Sequence, residues 1–178
     1  MRILTCDPKL EMLGINLRGF IDNIQASEIE PILKKYGLTN IEPLNWYLAS
    51  TWVQVFNDLQ ESNTTSNFVA IGMEVGRIIP MPRNSDFTLP EVLMLWNAEL
   101  YQPLFRNGDP GTVSYEKVSD THYVSIHRHI WPDDFNYGMT YAFARRFLPP
   151  KTQFKVYYDQ QVPRLDEGGN ETRIHIAW

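Results

Sequence analysis

Four histidines, His122, His127, His129 and His175, are the side chains of this protein best suited to chemistry near neutral pH. Three of them fall within eight residues, close to Asp120, Tyr123 and Ser125. Imidazoles at this spacing can ligate a metal, take a proton or orient the polar end of a ligand, and each use requires the side chains to converge. The stretch from His122 to Ile130 reads as a strand. Alternation then puts Tyr123, Ser125, His127 and His129 on one face and His122 on the other. Two histidines and a carboxylate from a neighbouring strand would make a facial metal triad, with Glu116 the nearest strand candidate. Spacing fixes no third ligand, so no metal is assigned, and the four same-face residues are read as polar anchors for a small ligand. A solvated or ligand-facing imidazole buries little, so truncating His127 is expected to cost less than ~1 kcal/mol. A Ser125–His127 nucleophile pair is set aside. Same-face neighbours on a strand are expected to lie too far apart for proton transfer, and no Gly-x-Ser-x-Gly turn presents a serine. Asp133 and Asp134 read as a helix cap.

These side chains must be positioned by elements with other periodicities. Ser27-Glu-Ile-Glu30 is a capping-box pattern that opens a short helix ending near Tyr36-Gly37. A long helix is expected from about Glu42 to Glu61, with Leu44, Leu48, Trp52, Val55, Phe56 and Leu59 on one stripe. A further helix, about Thr65 to Ile79, carries Gly72 and Gly76 one turn apart, which predicts close packing against another helix. Thr88-Leu-Pro-Glu91 opens the next, with Leu89, Leu93, Trp96 and Leu100 on its face. The period then changes. Thr112–Val118 and His122–Ile130 alternate as strands. A helix follows with Phe135, Met139, Phe143 and Phe147 in a row, and Phe154–Tyr158 and Thr172–Trp178 alternate again. The first 25 residues fit neither period cleanly. The expected fold is therefore α+β: a helical N-terminal half, about residues 1–110, packed on a four-stranded antiparallel sheet built as β-β-α-β-β over about residues 111–178, the whole being a single domain.

Composition narrows the function classes. Of 178 residues, 43% are hydrophobic and 13% aromatic, which describes a folded chain. The net charge of −5 argues against a nucleic-acid or anionic-membrane binder, since either partner would need a basic face. The single cysteine, Cys6, excludes an intrachain disulfide framework or a multi-cysteine metal site. No stretch approaches ~18 consecutive apolar residues, and the N-terminus lacks a signal-peptide pattern, so a cytoplasmic protein is expected. The aromatic excess, including Trp96, Trp52 and Phe143, permits an apolar pocket between helices and sheet.

Three stretches resemble one superfamily: Asn67–Gly76 with its packed glycines, Tyr123-Val-Ser125-Ile-His127 with Gly138 and Phe143 behind it, and the closing Ile174–Trp178 strand. The superfamily contains the heme nitric-oxide/oxygen-binding (H-NOX) domains, the 4-vinyl-reductase-type sensors and the small subunits of the transport-protein-particle (TRAPP) tethering complex. The resemblance implies a helical layer on an antiparallel sheet and a ligand held between them. In H-NOX domains a Tyr-x-Ser-x-Arg motif holds the heme propionates. Here Tyr123 and Ser125 match, and His127 stands where arginine is expected. The axial histidine of H-NOX domains would fall in the helix Glu91–Tyr101, which contains none; Met94 and Tyr101 are its other residues able to ligate iron.

The sequence reading is a non-enzymatic small-molecule-binding or sensory domain that takes a small apolar or aromatic ligand. Tyr123, Ser125, His127, His129, Trp96, Trp52 and Phe143 form its site. Its cofactor is left unnamed, with heme not expected. A homodimer or signalling partner is the expected outlet. One alternative is an interaction or dimerisation module whose pocket is filled by its own side chains. A second is a heme- or metal-binding protein using His122, His127 and His129.

Overall fold

A computed structural model describes residues 2–21, 26–62, 67–81 and 86–178. The C-terminal half follows the alternation in the sequence. Strands β4 (Gly111–Ser119), β5 (His122–His129), β6 (Lys155–Tyr158) and β7 (Thr172–Ala177) form an antiparallel sheet in the order β4-β5-β7-β6. The helix α6 (Asp133–Phe147) packs on one face of it. Helix numbering begins with α1 (Gly14–Ile21), α2 (Ala26–Lys35), α3 (Ala49–Glu61), α4 (Phe68–Ile78) and α5 (Leu89–Leu95). The chain continues from α5 through one π-helical stretch, Trp96–Tyr101. The fold is α+β, as the periodicities require.

Three local expectations change. The turn before α3 is not helical. Trp46–Leu48 is strand β2, paired antiparallel with β1 (Glu11–Leu13), whose other neighbour is β3 (Phe105–Arg106). Leu44 and Leu48 are therefore exposed rather than part of a buried stripe. Strand pairing with residues 35 positions upstream outweighs local helical periodicity, and the Ala49 N–H, bonded to Leu10 O at 2.8 Å, ties the start of α3 to the same ribbon. The Ser27 side chain and the start expected near Thr65 lie outside the described residues; the α4 N-cap is Asn67, whose Oδ1 accepts from the N–H groups of Val69 and Ala70. Asp133 does not cap α6. Its carboxylate accepts from Thr172 Oγ1–H at 2.5 Å and from Asp166 N–H at 2.9 Å, tying the start of α6 to the loop between β6 and β7. Burial raises its pKa against those bonds.

The capping box before α5 forms as the pattern predicts, with Thr88 N–H donating to Glu91 Oε2 at 2.8 Å. The glycines also do what their spacing implies. A Cβ on Gly72 would lie 2.1 Å from Phe135 O, and one on Gly138 would lie 2.1 Å from Val69 O. Only hydrogen at both positions lets α4 and α6 cross this closely. Arg146 in the last turn of α6 then donates to the carbonyls of Arg77 and Ile79, at 3.1 and 2.9 Å, satisfying the C-terminal end of α4. A continuous core joins the helices to the inner face of the sheet. Phe20 of α1 stacks on Trp131 and Phe135, with centroids 5.2 and 4.7 Å apart. No helix among the described residues is long and apolar enough to cross a membrane.

Candidate functional site

The seam between the α1, α4 and α6 side and the β4–β5 face encloses a small cavity of about 30 Å³. Trp96 and Phe143 meet edge to face on its wall, 4.9 Å between centroids. His127 and His129 enter it from β5. Asn16, Val75, Ile79 and Leu104 line both this cavity and an open apolar groove of about 600 Å³, so the seam communicates with the surface.

The inner face of β5 carries a continuous hydrogen-bonded chain. Trp131 N–H donates to His129 Nδ1 at 3.2 Å; His129 Nε2 meets His127 Nδ1 at 3.0 Å; His127 Nε2 meets Ser125 Oγ at 2.6 Å. The backbone N–H can only donate, so His129 Nδ1 accepts, and a neutral His129 must carry its proton on Nε2. It donates to His127 Nδ1, which leaves the His127 proton on Nε2, facing Ser125 Oγ. One peptide group thus fixes both tautomers and the direction of every bond. Burial pushes the His127 pKa down to about 3 and holds His129 well below its usual range, with the neighbouring imidazole adding to the effect at His129. Both rings are neutral at pH 7.

This arrangement corrects two expectations. His127 is 4% exposed and bonded at both nitrogens, so it is a structural group of the core and not a weakly held surface ring. Ser125 and His127 are in hydrogen-bond contact despite their i, i+2 relation, because long side chains on a strand lean along its axis and close the gap. With Ser125 fully buried, that contact orients the ring and presents no nucleophile.

The other anticipated residues divide. Trp96, Phe143, His127 and His129 line the cavity, and Ser125 supports it from behind. Tyr123 stacks on Trp178 at 5.8 Å, and Trp52 packs edge to face with Phe20 and Phe56; neither reaches the cavity wall. His122 is on the opposite face of the sheet and does not join His127 and His129; its partner is His175, with ring nitrogens 2.9 Å apart. Met94 is 77% exposed and faces away, while Tyr101 lines the cavity and donates its hydroxyl to Pro110 O at 2.8 Å.

Asn136 went unnoticed in the sequence. It is 3% exposed on the α6 wall of the cavity, and its Nδ2 has no hydrogen-bond partner among the described residues. A buried amide donor left open costs roughly 1–3 kcal/mol, so this atom marks where an acceptor belongs. Its only sequence signal was a polar residue beside the Phe135–Met139 stripe.

No family model matches the chain, and no curated protein does. Solved structures do match. One is an oxygen-binding H-NOX domain related to soluble guanylate cyclases, in its oxygen complex: 15% identity over 92% of this chain and 91% of that one, TM-score 0.65. Another is an H-NOX protein from S. oneidensis in the Fe(II) ligation state, 12% identical over 93% and 95% of the two chains, TM-score 0.64. A third comes from work on modulating heme redox potential through protein-induced porphyrin distortion, 15% identical over 93% and 97%, TM-score 0.62. The chain has the H-NOX fold along nearly its whole length. The expectation against heme is corrected by these neighbours, one of which comes from work on heme redox potential.

Proposed function

We propose that this chain, which has the architecture of an H-NOX sensor domain, is a non-enzymatic ligand-binding domain whose seam takes heme, the helical and sheet parts acting together as one domain. The single observation that carries the reading is the chemistry gathered at the seam. Two neutral buried imidazoles stand on the sheet side and an unpartnered amide donor stands on the helix side, among aromatic rings. Neutral imidazole suits iron, an open N–H suits an acceptor atom, and the rings exclude water. By donor chemistry the residues present fit the group. The oxygen complex among the fold neighbours supports a diatomic gas as its ligand.

When bound, heme would supply an iron at which such a ligand is held. The rest falls to side chains. His127 and His129 are the nitrogen donors facing the seam. Each spends both nitrogens on the Trp131–Ser125 chain, so ligation by either requires one link of that chain to yield. Asn136 supplies the N–H donor on the α6 side. The closed seam of about 30 Å³ has room for roughly one or two waters. A flat macrocycle would need the α1–α4 edge to part from the segment 99–104 along the 600 Å³ groove. That parting is the movement a sensor would transmit, since differential affinity for the closed and open packings is what biases them.

Titration of the full chain with hemin under reducing conditions tests the reading. A saturable Soret band with 1:1 stoichiometry is expected, and its position should shift in His129→Ala or in His127→Ala. Absence of a saturable band, or spectra identical in both variants, overturns it. The tightness of the seam would then favour the second reading, an interaction module closed by its own side chains.

A further inference from the structure

The outer face of the sheet holds a second imidazole pair, which the heme reading does not use. His122 at the start of β5 and His175 in the middle of β7 are diagonal neighbours, since His175 lies opposite Val124. His122 Nε2 and His175 Nδ1 are 2.9 Å apart. Behind them, His175 Nε2–H donates to Asp159 Oδ2 at 3.3 Å, which fixes the His175 tautomer and leaves its Nδ1 lone pair pointing at His122. The Tyr157 ring stacks on His175 at 4.8 Å with a 4° interplanar angle and locks its plane. Gln161 N–H donates to Asp159 Oδ1 at 2.8 Å and helps hold that carboxylate in its charged form. The site is open to solvent: the His175 side chain is 17% exposed, that of Asp159 is 20% exposed, and Tyr157 is 41% exposed.

We propose that His122 Nε2 and His175 Nδ1 form a two-imidazole chelate for a divalent transition-metal ion, with Asp159 as the carboxylate that orients His175. Nitrogens this close can close on one ion. With metal–nitrogen bonds of about 2.0–2.1 Å, a nitrogen–nitrogen distance near 2.9 Å subtends about 90° at the metal. That is the angle of tetragonal copper(II) or nickel(II). Copper(II) also leads the affinity order for nitrogen donors. Among the described residues no group of three or more His, Cys, Asp or Glu could hold a metal ion, so water completes the coordination. Two adjustments are required. His122 moves its proton from Nε2 to Nδ1, and its ring tilts about its terminal torsion, which is soft, while His175 keeps the plane set by Tyr157. Arg173, whose charge acts on Asp159, is engaged by Glu171 and Glu116.

The test is titration of the full wild-type chain with copper(II) sulfate alone, followed by its visible d–d band and electron paramagnetic resonance. One saturable equivalent with nitrogen hyperfine splitting from two imidazoles is expected. His122→Gln and His175→Gln should each weaken binding at least ~10-fold, and Asp159→Asn ~10-fold or more while leaving both imidazoles in the spectrum. Wild-type binding that does not saturate, or that survives His122→Gln and His175→Gln unchanged, overturns the assignment. Zinc(II) binding tighter than copper(II) would overturn the choice of ion. The site is on the face of the sheet away from the seam, so neither result bears on heme.

Discussion

Replacing His127 by alanine is the sharpest test of the buried chain on β5. The imidazole is 4% exposed and links the Nε2–H of His129 to Ser125 Oγ, which also bonds the Tyr115 hydroxyl. Its removal strands the His129 donor in the core and takes one of the two partners from Ser125. At about 1–3 kcal/mol for the buried donor left unpaired and about 0.5–1.5 kcal/mol for the lost bond to Ser125, the loss is about 1.5–4.5 kcal/mol before relaxation. The vacated ring volume merges with the 30 Å³ cavity and admits water, which recovers part of that loss by bridging the stranded atoms. A net destabilisation of about 3 kcal/mol follows. His127→Gln should lose less than half as much, because one amide can accept from His129 and donate to Ser125 at once. Urea unfolding at pH 7.5 measures both. The expected result is a lowered midpoint with an unchanged denaturant slope. A loss below about 1 kcal/mol for His127→Ala would refute the reasoning, because it would mean that the chain contributes nothing its water-filled replacement does not.

Two further outcomes follow from the same packing. The folded pKa of His127 is about 3 against an ordinary 6.5, so between these values the unfolded chain binds more protons, and stability rises with pH. The contribution is fully present above pH ~6.5 and is lost as pH falls towards ~3, at about 1.4 kcal/mol per pH unit for each such group, or about 2 kcal/mol from His127 alone by pH 5. His129, shifted the same way, adds with the same sign. Urea midpoints that stay constant from pH 7.5 to 5 would contradict this. Gly138→Ala should destabilise by about 2 kcal/mol although alanine is the better helix former, because its Cβ would stand 2.1 Å from Val69 O and force α6 off α4. A raised melting temperature for that variant would show that the two helices have slack the structure does not display.

Much of the architecture was legible before any coordinates. Period-two alternation in Thr112–Val118, His122–Ile130, Phe154–Tyr158 and Thr172–Trp178, with one 3.6-period helix between them, specified the sheet and α6. The glycine pair in α4 announced a close helix contact, and Thr88 with Glu91 announced the start of α5. Alternation alone also separated His122 from His127 and His129. These are local signals, decided by which side of a strand or helix a residue occupies.

The rest was settled by partners distant in sequence. Trp46–Leu48 became a strand because Glu11–Leu13 was there to pair with it, and no window around Pro43 contains that information. The sequence set three polar side chains in a row on β5; only the packed layers removed water from them, which turned a row into a directed chain with fixed tautomers. His122 met His175 across 53 residues because β7 lies beside β5, and Asn136 became an open donor because α6 faces the sheet at that point. Hydrophobic periodicity fixes the face a side chain takes, whereas desolvation and long-range register fix what it meets there. In this protein the chemistry of the imidazoles depends on the second of these.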